Sequence, residues 1–133
     1  MIWAENRYTY PMKIYIAALL VAIALLAAHL AGLDGWYFNY FWYDTMMHLL
    51  GGVGIGLFAW ALLASFRSGM YLRTRNVIVM VIVVGLVWEY FEIHFQLTGH
   101  PLWTKWYYID TVKDIINDTV GGAVVAYFSR RAS

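Results

Sequence analysis

The feature that most constrains this chain is a long apolar run, Met12–Gly32, which carries no charged side chain after Lys13. A bilayer core of about 30 Å needs roughly 20 apolar residues in a helix, so the run predicts a transmembrane helix. Trp42–Phe66 and Asn76–Leu97 are comparable in length and largely apolar, and predict two more. A fourth span is predicted at Asp110–Phe128, although its first half holds Asp110, Lys113, Asp114, Asn117 and Asp118.

Composition agrees with a chain whose solvent is lipid. Hydrophobic residues make up 62% of the 133 residues and charged residues 13%, whereas a soluble domain carries about 25% charged residues. The net charge of +1 gives no reason to expect nucleic acid as a partner, and the absence of cysteine excludes disulfides and thiolate chemistry. The sequence therefore predicts an all-α integral membrane protein, in which residues 1–133 form one transmembrane domain, a four-helix bundle.

The basic residues predict how this bundle is oriented. One side receives seven of them, and the loops on the other side hold only Lys105; the seven are Arg7, Lys13, Arg67, Arg73, Arg75, Arg130 and Arg131. Basic loops stay in the cytoplasm. We therefore expect a multi-pass protein of the plasma (inner) membrane with both termini cytoplasmic and with Gly32–Phe41 and Thr98–Ile109 outside.

On this topology the polar side chains of the last three spans lie in the outer half of the bilayer. At 1.5 Å per residue, Asp118 and Glu89 lie about 12 Å below the outer helix ends. Residues three or four apart share a helix face, as Asp44 does with His48 and Glu89 with Glu92. The depth and the phase together predict one polar site that faces outward.

Charge balance in this site favours a bound cation. A charged residue in mid-helix costs about 2.5–3.5 kcal/mol on the insertion scale, and Lys113 and His48 are the only nearby cations. We predict a divalent metal held by carboxylate and imidazole ligands, which suit zinc, manganese, iron or magnesium. A metal-free, proton-sharing polar core that fixes helix register remains the alternative. The predicted ligands are Asp44, His48, Glu89, Glu92, Asp114 and Asp118, supported by Asp110, Asn117 and His94.

A repeated spacing connects the second and fourth spans. Asp44, His48 and the pair Gly51-Gly52 match Asp114, Asp118 and the pair Gly121-Gly122 in their intervals. The match is consistent with a duplicated helical hairpin, and common descent and chance both stay open. Small residues let membrane helices approach closely, so we expect these glycines to form helix contacts just below the polar layer.

The same residues carry a family resemblance over roughly residues 43–128. Asp44 with His48, Glu89-x-x-Glu92, and Asp114-x-x-Asn117 with Gly121 resemble the VanZ-like membrane protein family, and more closely its YjdF-like inner-membrane branch. VanZ-like chains carry Asp-x-x-Asn-x-x-Gly on the last helix, whereas here the glycine comes four residues after the asparagine. They often have glutamine where this chain has Glu92, and the YjdF-like branch has paired glutamates. The resemblance implies one common polar site and names no reaction.

Three functions fit these patterns. The first is a metal-dependent hydrolase or transferase acting on a membrane lipid or lipid-linked envelope substrate, with Glu89 or Glu92 as general base. Lys113 would then be a phosphate contact or only a salt-bridge partner. The second is a cation- or proton-coupled transport protein. The third is a non-catalytic envelope or resistance factor with a structural cation or polar core. A homo-oligomer is compatible with each of them.

Overall fold

The computed structural model describes residues 2–66, 74–97 and 99–131, and every regular element within these ranges is helical. The elements are α1 (Ile2–Ala31), a π-helical turn (Gly32–Trp36), α2 (Tyr37–Asn39), α3 (Tyr43–Ser65), α4 (Thr74–Phe95) and α5 (Lys105–Arg131). Arg67 and Arg73, on which the predicted cytoplasmic loop depends, and Thr98 in the predicted outer loop lie outside the described residues.

Three of the helical segments are long and apolar enough to cross a membrane. They are Pro11–Trp36, Tyr43–Ser65 and Thr74–Phe95, which agree with the first three predicted spans. The fourth long helix, α5, has 27 residues and so reaches about 40 Å. Its charged residues keep it outside the group that composition alone identifies as spans.

Two helix boundaries differ from the prediction by several residues. α5 begins at Lys105, five residues before the predicted Asp110. Its start is set by Thr104, whose hydroxyl accepts a hydrogen bond from the Tyr107 amide at 3.3 Å, as an N-cap does. α1 begins at Ile2 and continues through Pro11 into the apolar run. Hydropathy marks where a helix can enter lipid, whereas capping sets where the helix starts.

The chain changes direction sharply after α1. Gly35 has a φ of 111°, a conformation that glycine adopts without the steric cost of a Cβ atom. The turn brings α3 back against α1, where the Tyr43 hydroxyl donates a hydrogen bond of 2.6 Å to the Ala28 carbonyl. The Tyr43 side chain is almost completely buried. The C-terminal end of α1 and the N-terminal end of α3 are therefore joined by this hydrogen bond.

α3 and α5 approach each other most closely through two glycines. A Cβ atom added to Gly52 would collide with the backbone carbonyl of Asp118, and one added to Gly121 would collide with that of Leu49. The contact is reciprocal, since each helix offers a glycine to a carbonyl of the other. This arrangement confirms the expected helix contact through Gly52 and Gly121 and sets the spacing of the side chains one turn further out.

The half of the bundle beyond these glycines is packed with apolar side chains. Its centre is a cluster of Ala59 and Leu63 from α3, Val77 from α4 and Ala126 from α5. Val81 is also fully buried, and its side chain occupies the space where a Cβ on Gly122 would lie. α3, α4 and α5 thus share one apolar core, and α1 packs against α3.

Candidate metal centre

The polar cluster lies between the N-terminal halves of α3 and α5. Asp44 is in the first turn of α3 and His48 follows one turn later. The His48 Nε2 atom lies 3.7 Å from the Asp44 Oδ1 atom and 3.9 Å from the Asp114 Oδ1 atom of α5. The imidazole and Asp114 are buried, whereas the Asp44 side chain is 33% exposed. One imidazole nitrogen therefore faces two carboxylates from two helices.

The geometry of these three residues fits a small divalent ion. One ligand atom from each of Asp44, His48 and Asp114 can be chosen so that all three lie within 4.8 Å of one another. An ion with tetrahedral bonds of about 2.1 Å holds its ligand atoms about 3.4 Å apart, and the two distances from His48 Nε2, 3.7 and 3.9 Å, are slightly longer than this. The Asp114 Oδ1 atom is buried and has no hydrogen-bond partner among the described residues. An oxygen in this state is a suitable metal ligand.

Asp118 lies on the opposite side of the imidazole ring. Its Oδ2 atom is 3.4 Å from the His48 Nδ1 atom. The carboxylate is seated between two glycines, since Cβ atoms on Gly51 and Gly85 would lie 3.5 and 2.9 Å from its oxygens. A carboxylate on one ring nitrogen fixes the tautomer that leaves the other nitrogen free to bind a metal. Asp118, predicted as a ligand, contacts the ring nitrogen opposite the one that faces Asp44 and Asp114 and lies outside the group of three that could hold an ion.

Lys113 already sits among the carboxylates. Its ammonium group donates hydrogen bonds to Asp110 Oδ1 at 2.6 Å and to Asp44 Oδ2 at 3.0 Å. It also lies 3.4 Å from Asp114 Oδ1. The Lys113 side chain is 37% exposed and that of Asp110 28%, so this part of the cluster forms an open rim. In this structure Lys113 is a salt-bridge partner, and Asp110 is its shortest contact.

Glu89 approaches the cluster from α4. The side chain is buried, and its Oε1 atom has no hydrogen-bond partner among the described residues. The Thr111 side chain of α5 hydrogen-bonds to the carboxylate, and Glu89 lies within electrostatic range of His48 and Asp118. Glu89 is therefore a buried carboxylate beside the three candidate ligands and outside their group.

Glu92 lies at the edge of the site, among aromatic side chains. Trp88 donates a hydrogen bond from Nε1 to Glu92 Oε1 at 2.8 Å. Tyr37 forms a hydrogen bond of 3.0 Å with Nδ1 of His29, and burial, with Asp44, Tyr43 and Glu92 nearby, raises the pKa of Tyr37 to about 12. The Tyr37 phenol therefore stays protonated at physiological pH. The aromatic wall between α1 and α4 consists of the side chains of His29, Tyr37 and Trp88.

The remaining predicted site residues fall in different places. Asp110 contacts Lys113 on the rim. Asn117 is partly buried and its Nδ2 atom has no hydrogen-bond partner among the described residues. The structure does not bring His94 into the cluster, because its exposed ring packs against Tyr90 and Phe95. His94 follows Glu89 by five residues, which turns it about 140° away on the helix.

Three residues that shape the site were absent from the predicted set. They are Thr111, which contacts Glu89, and Gly51 and Gly85, which make room for Asp118. A signal for two of them exists in the sequence: Gly85 precedes Glu89 by four residues and Thr111 precedes Asp118 by seven, so each shares a helix face with a buried acid. Which acid each would touch depends on the packing of α4 against α5.

Comparison with known proteins agrees with this membrane architecture. A family model described as Predicted membrane protein (DUF2238) matches residues 1–133. YjdF-like is a name of this family, so that part of the resemblance is confirmed, while the VanZ-like part stays a prediction. No curated protein and no solved structure matches the chain. Because the match covers all of its residues, the chain belongs to the family of predicted membrane proteins described as DUF2238.

Proposed function

We propose that this protein is a divalent-metal-dependent enzyme that acts on a lipid or lipid-linked envelope substrate in the outer half of the plasma membrane. Asp44, His48 and Asp114 are the proposed ligands. The observation that carries the proposal is the buried Asp114 Oδ1 atom, which accepts no hydrogen bond from the described residues and lies 3.9 Å from the Nε2 atom of His48. Lys113 approaches this oxygen only to 3.4 Å, so a cation bound directly to it would recover more of the free energy that burial of the carboxylate costs.

The proposal requires α5 to be a fourth span, and the surface of α5 supports this. Its acids Asp114 and Asp118 are turned into the bundle. Another part of the surface of α5 carries a stripe of apolar side chains that are about half exposed: Val112, Ile116, Val120, Val124 and Phe128. Each step of four residues turns the position by about 40°, so the stripe winds gradually around the exposed side of the helix. Lipid is the solvent that such a face prefers, and α5 can span the membrane because its charges face protein.

The exposure of the site suits a substrate that arrives from the outer surface. The deepest part of the site is buried and consists of His48, Glu89, Asp114 and Asp118. Its rim is more open, since Asp44 and Lys113 are about one-third exposed. With both termini in the cytoplasm, the exposed rim would lie near the outer headgroups. A lipid headgroup could then reach the ligands without crossing the bilayer.

Three protein ligands leave a coordination position open, as in catalytic zinc sites. An ion there would lower the pKa of a bound water and polarise a phosphoryl or acyl oxygen. Glu89 is the better placed of the two predicted bases, because it is buried beside His48 with a free oxygen. Glu92 is engaged by Trp88 at the edge. The donor set holds no sulfur, so zinc, manganese, iron and magnesium remain the candidate ions.

A non-catalytic polar core is the second candidate function, and Lys113 favours it. The ammonium group already neutralises part of the charge of Asp44, Asp110 and Asp114. In that case the cluster would serve only to fix the register of α3 against α5. Transport has weaker support, because the described residues on the other side of the glycine contact form the apolar cluster around Ala59 and Val77.

Turnover of lipid separates these functions. Purified protein would be incubated with vesicles of phosphatidylethanolamine and phosphatidylglycerol, with and without added zinc or manganese, and the lipids analysed by mass spectrometry. We expect a metal-dependent product from the wild type. We expect none from Asp114→Asn, in which an amide replaces the carboxylate of a proposed ligand. Glu5→Gln, remote from the site in sequence, is the control. If the wild type binds metal yet leaves these lipids and extracted envelope lipids unchanged, the enzyme proposal fails.

A further inference from the structure

Lys113 contacts two of the three residues that could hold a metal ion. Its ammonium group contacts Asp44 through Oδ2 and lies 3.4 Å from the Oδ1 atom of Asp114. Both carboxylates belong to the group that could hold an ion. A divalent cation and the ammonium cannot both sit between these oxygens, because two like charges a few ångströms apart repel strongly in a partly buried site.

Asp110 offers Lys113 a second partner outside the metal group. It lies three residues earlier on α5 and therefore about 4.5 Å closer to the outer surface. Its Oδ1 atom makes the shortest of the three lysine contacts, at 2.6 Å, and its side chain is 28% exposed. The lysine stem is long and flexible, so the ammonium can give up Asp44 and Asp114 while it keeps Asp110.

We propose that Lys113 is a tethered cation that competes with a divalent metal for Asp44 and Asp114 and withdraws to Asp110 when the metal binds. The inference rests on the proposed metal site and adds a regulated occupancy to it. In the metal-free protein the lysine holds the carboxylates in place. In the metal-bound protein the ammonium moves to the rim, where it can pair with the phosphate of a lipid headgroup, the class of substrate proposed above.

Metal affinity in a set of charge variants tests this exchange. Mn²⁺ binding would be measured by electron paramagnetic resonance on detergent-solubilised, metal-stripped protein. Lys113→Met removes the competitor and should tighten binding about tenfold, a usual size for coupling between two ligands. Lys113→Arg keeps the charge and can grip carboxylates through two donors, so it should weaken binding. Lys105→Met removes an exposed lysine at the start of the same helix and should leave the affinity unchanged.

Asp110 distinguishes the exchange from a general effect of charge. Asp110→Asn removes the second partner and should weaken Mn²⁺ binding in the wild-type background. In the Lys113→Met background the same substitution should have almost no effect, since no lysine needs the partner. Equal effects of Asp110→Asn in the two backgrounds would overturn the exchange and leave only long-range electrostatics.

The outcomes also separate this inference from the proposed function. If the wild type binds Mn²⁺ and Lys113→Met binds it no more tightly, the exchange is wrong while the metal site stands. If neither protein binds Mn²⁺ or Zn²⁺, the metal site itself is wrong and the exchange falls with it. If only Lys113→Met binds metal, the competition is supported, and the lysine-held state is the resting state of the protein.

Discussion

The two halves of this bundle bury different kinds of side chain. We call them the apolar half and the polar half, which meet at the contact through Gly52 and Gly121. The apolar half of α3, α4 and α5 buries alanine, valine and leucine around Ala59, Leu63 and Val77. The polar half buries His48 and three carboxylates, those of Glu89, Asp114 and Asp118. Burying apolar surface in close packing stabilises a fold, whereas buried ionisable groups cost free energy unless they are paired. The contrast indicates that the apolar half holds the helices together, whereas the polar half adds little to stability unless its charges are paired or bound by a cation.

Gly52 and Gly121 lie where the two halves meet. Their contacts with the backbone carbonyls of Asp118 and Leu49 fix the separation of α3 and α5 at that level. Because Asp44, His48 and Asp114 lie within the next two turns, the helix spacing there decides whether their ligand atoms can meet around one ion. The apolar half thus determines the geometry of the polar half.

Sidedness gives the largest expected effect, because labelling is all or none. The chain contains no cysteine, so single cysteines can be introduced at Gly35, Thr104 and Ser68; Ser68 is chosen from the sequence, since it lies outside the described residues. In intact cells a membrane-impermeant maleimide should label the first two and not the third. Labelling of Ser68 alone would place the polar half at the cytoplasmic face and reverse the comparison.

Closing the glycine contact should give the next largest effect. Gly52→Leu and Gly121→Leu each force a side chain against a backbone carbonyl, which cannot move aside as a flexible side chain does. We expect destabilisation of about 3 kcal/mol or more, seen as loss of monodisperse protein and a lower melting temperature in detergent. Gly51→Ala is the matched control, since its Cβ would meet its nearest neighbour at 3.5 Å. Unchanged melting of both leucine variants would show that α3 and α5 do not make this close contact.

Asp118→Asn should separate the metal affinity of the polar half from its stability. The amide keeps the shape of the side chain between Gly51 and Gly85 but no longer offers a carboxylate to Nδ1 of His48. Loss of such a partner lowers metal affinity about 10- to 100-fold, which calorimetry with Zn²⁺ would measure. Glu5→Gln, remote from the site in sequence, serves as the control. If Asp118→Asn and Glu5→Gln bind Zn²⁺ equally well, His48 is not oriented in this way.

A substitution of Tyr37, at the edge of the polar half, should give the smallest effect. Removing its hydroxyl in Tyr37→Phe breaks one hydrogen bond to His29 and should cost about 1 kcal/mol at neutral pH. Because the folded protein raises the Tyr37 pKa from 10.0 to about 12, its contribution is complete below pH 10 and is lost as the pH rises to about 12. The advantage of the wild type in thermal melts should therefore disappear and then reverse towards the alkaline end, because a pKa rise of about two units corresponds to more free energy than one hydrogen bond. A constant difference would place Tyr37 outside the aromatic wall.

The sequence patterns predicted most of the residues that gather at the site but not how all of them are arranged. The spacing of Asp44 and His48 predicted a common face, and the two residues do face one ion position. The spacing of Glu89 and Glu92 made the same prediction, yet Glu89 is buried against α5 while Glu92 lies beside Trp88. Phase relates residues on one helix and carries no information about how far that helix is rotated towards its neighbours.

Lys113 and Asp118 show two further limits of sequence reasoning. A lysine stem can reach several partners, so position alone left its role open; the structure places its ammonium between Asp44 and Asp110. Asp118 was predicted as a ligand from its depth and helix face; in the structure it contacts Nδ1 of His48, whereas Asp44 and Asp114 lie near Nε2. Which ring nitrogen each carboxylate meets depends on the packing of α3 against α5, which helix phase alone does not determine.

Metal content tests the central claim most directly. Protein purified without a histidine tag or chelating resin would be analysed by elemental mass spectrometry together with His48→Ala and Glu5→Gln. The account predicts about one zinc, manganese or iron ion per wild-type chain in a three-ligand site, equal content in Glu5→Gln, and loss of most of it in His48→Ala and at low pH, where protons compete for the ligands. Magnesium, which binds more weakly, would be added back and measured at equilibrium. Wild-type protein that carries no ion, takes up none and melts at the same temperature with and without metal would contradict the account.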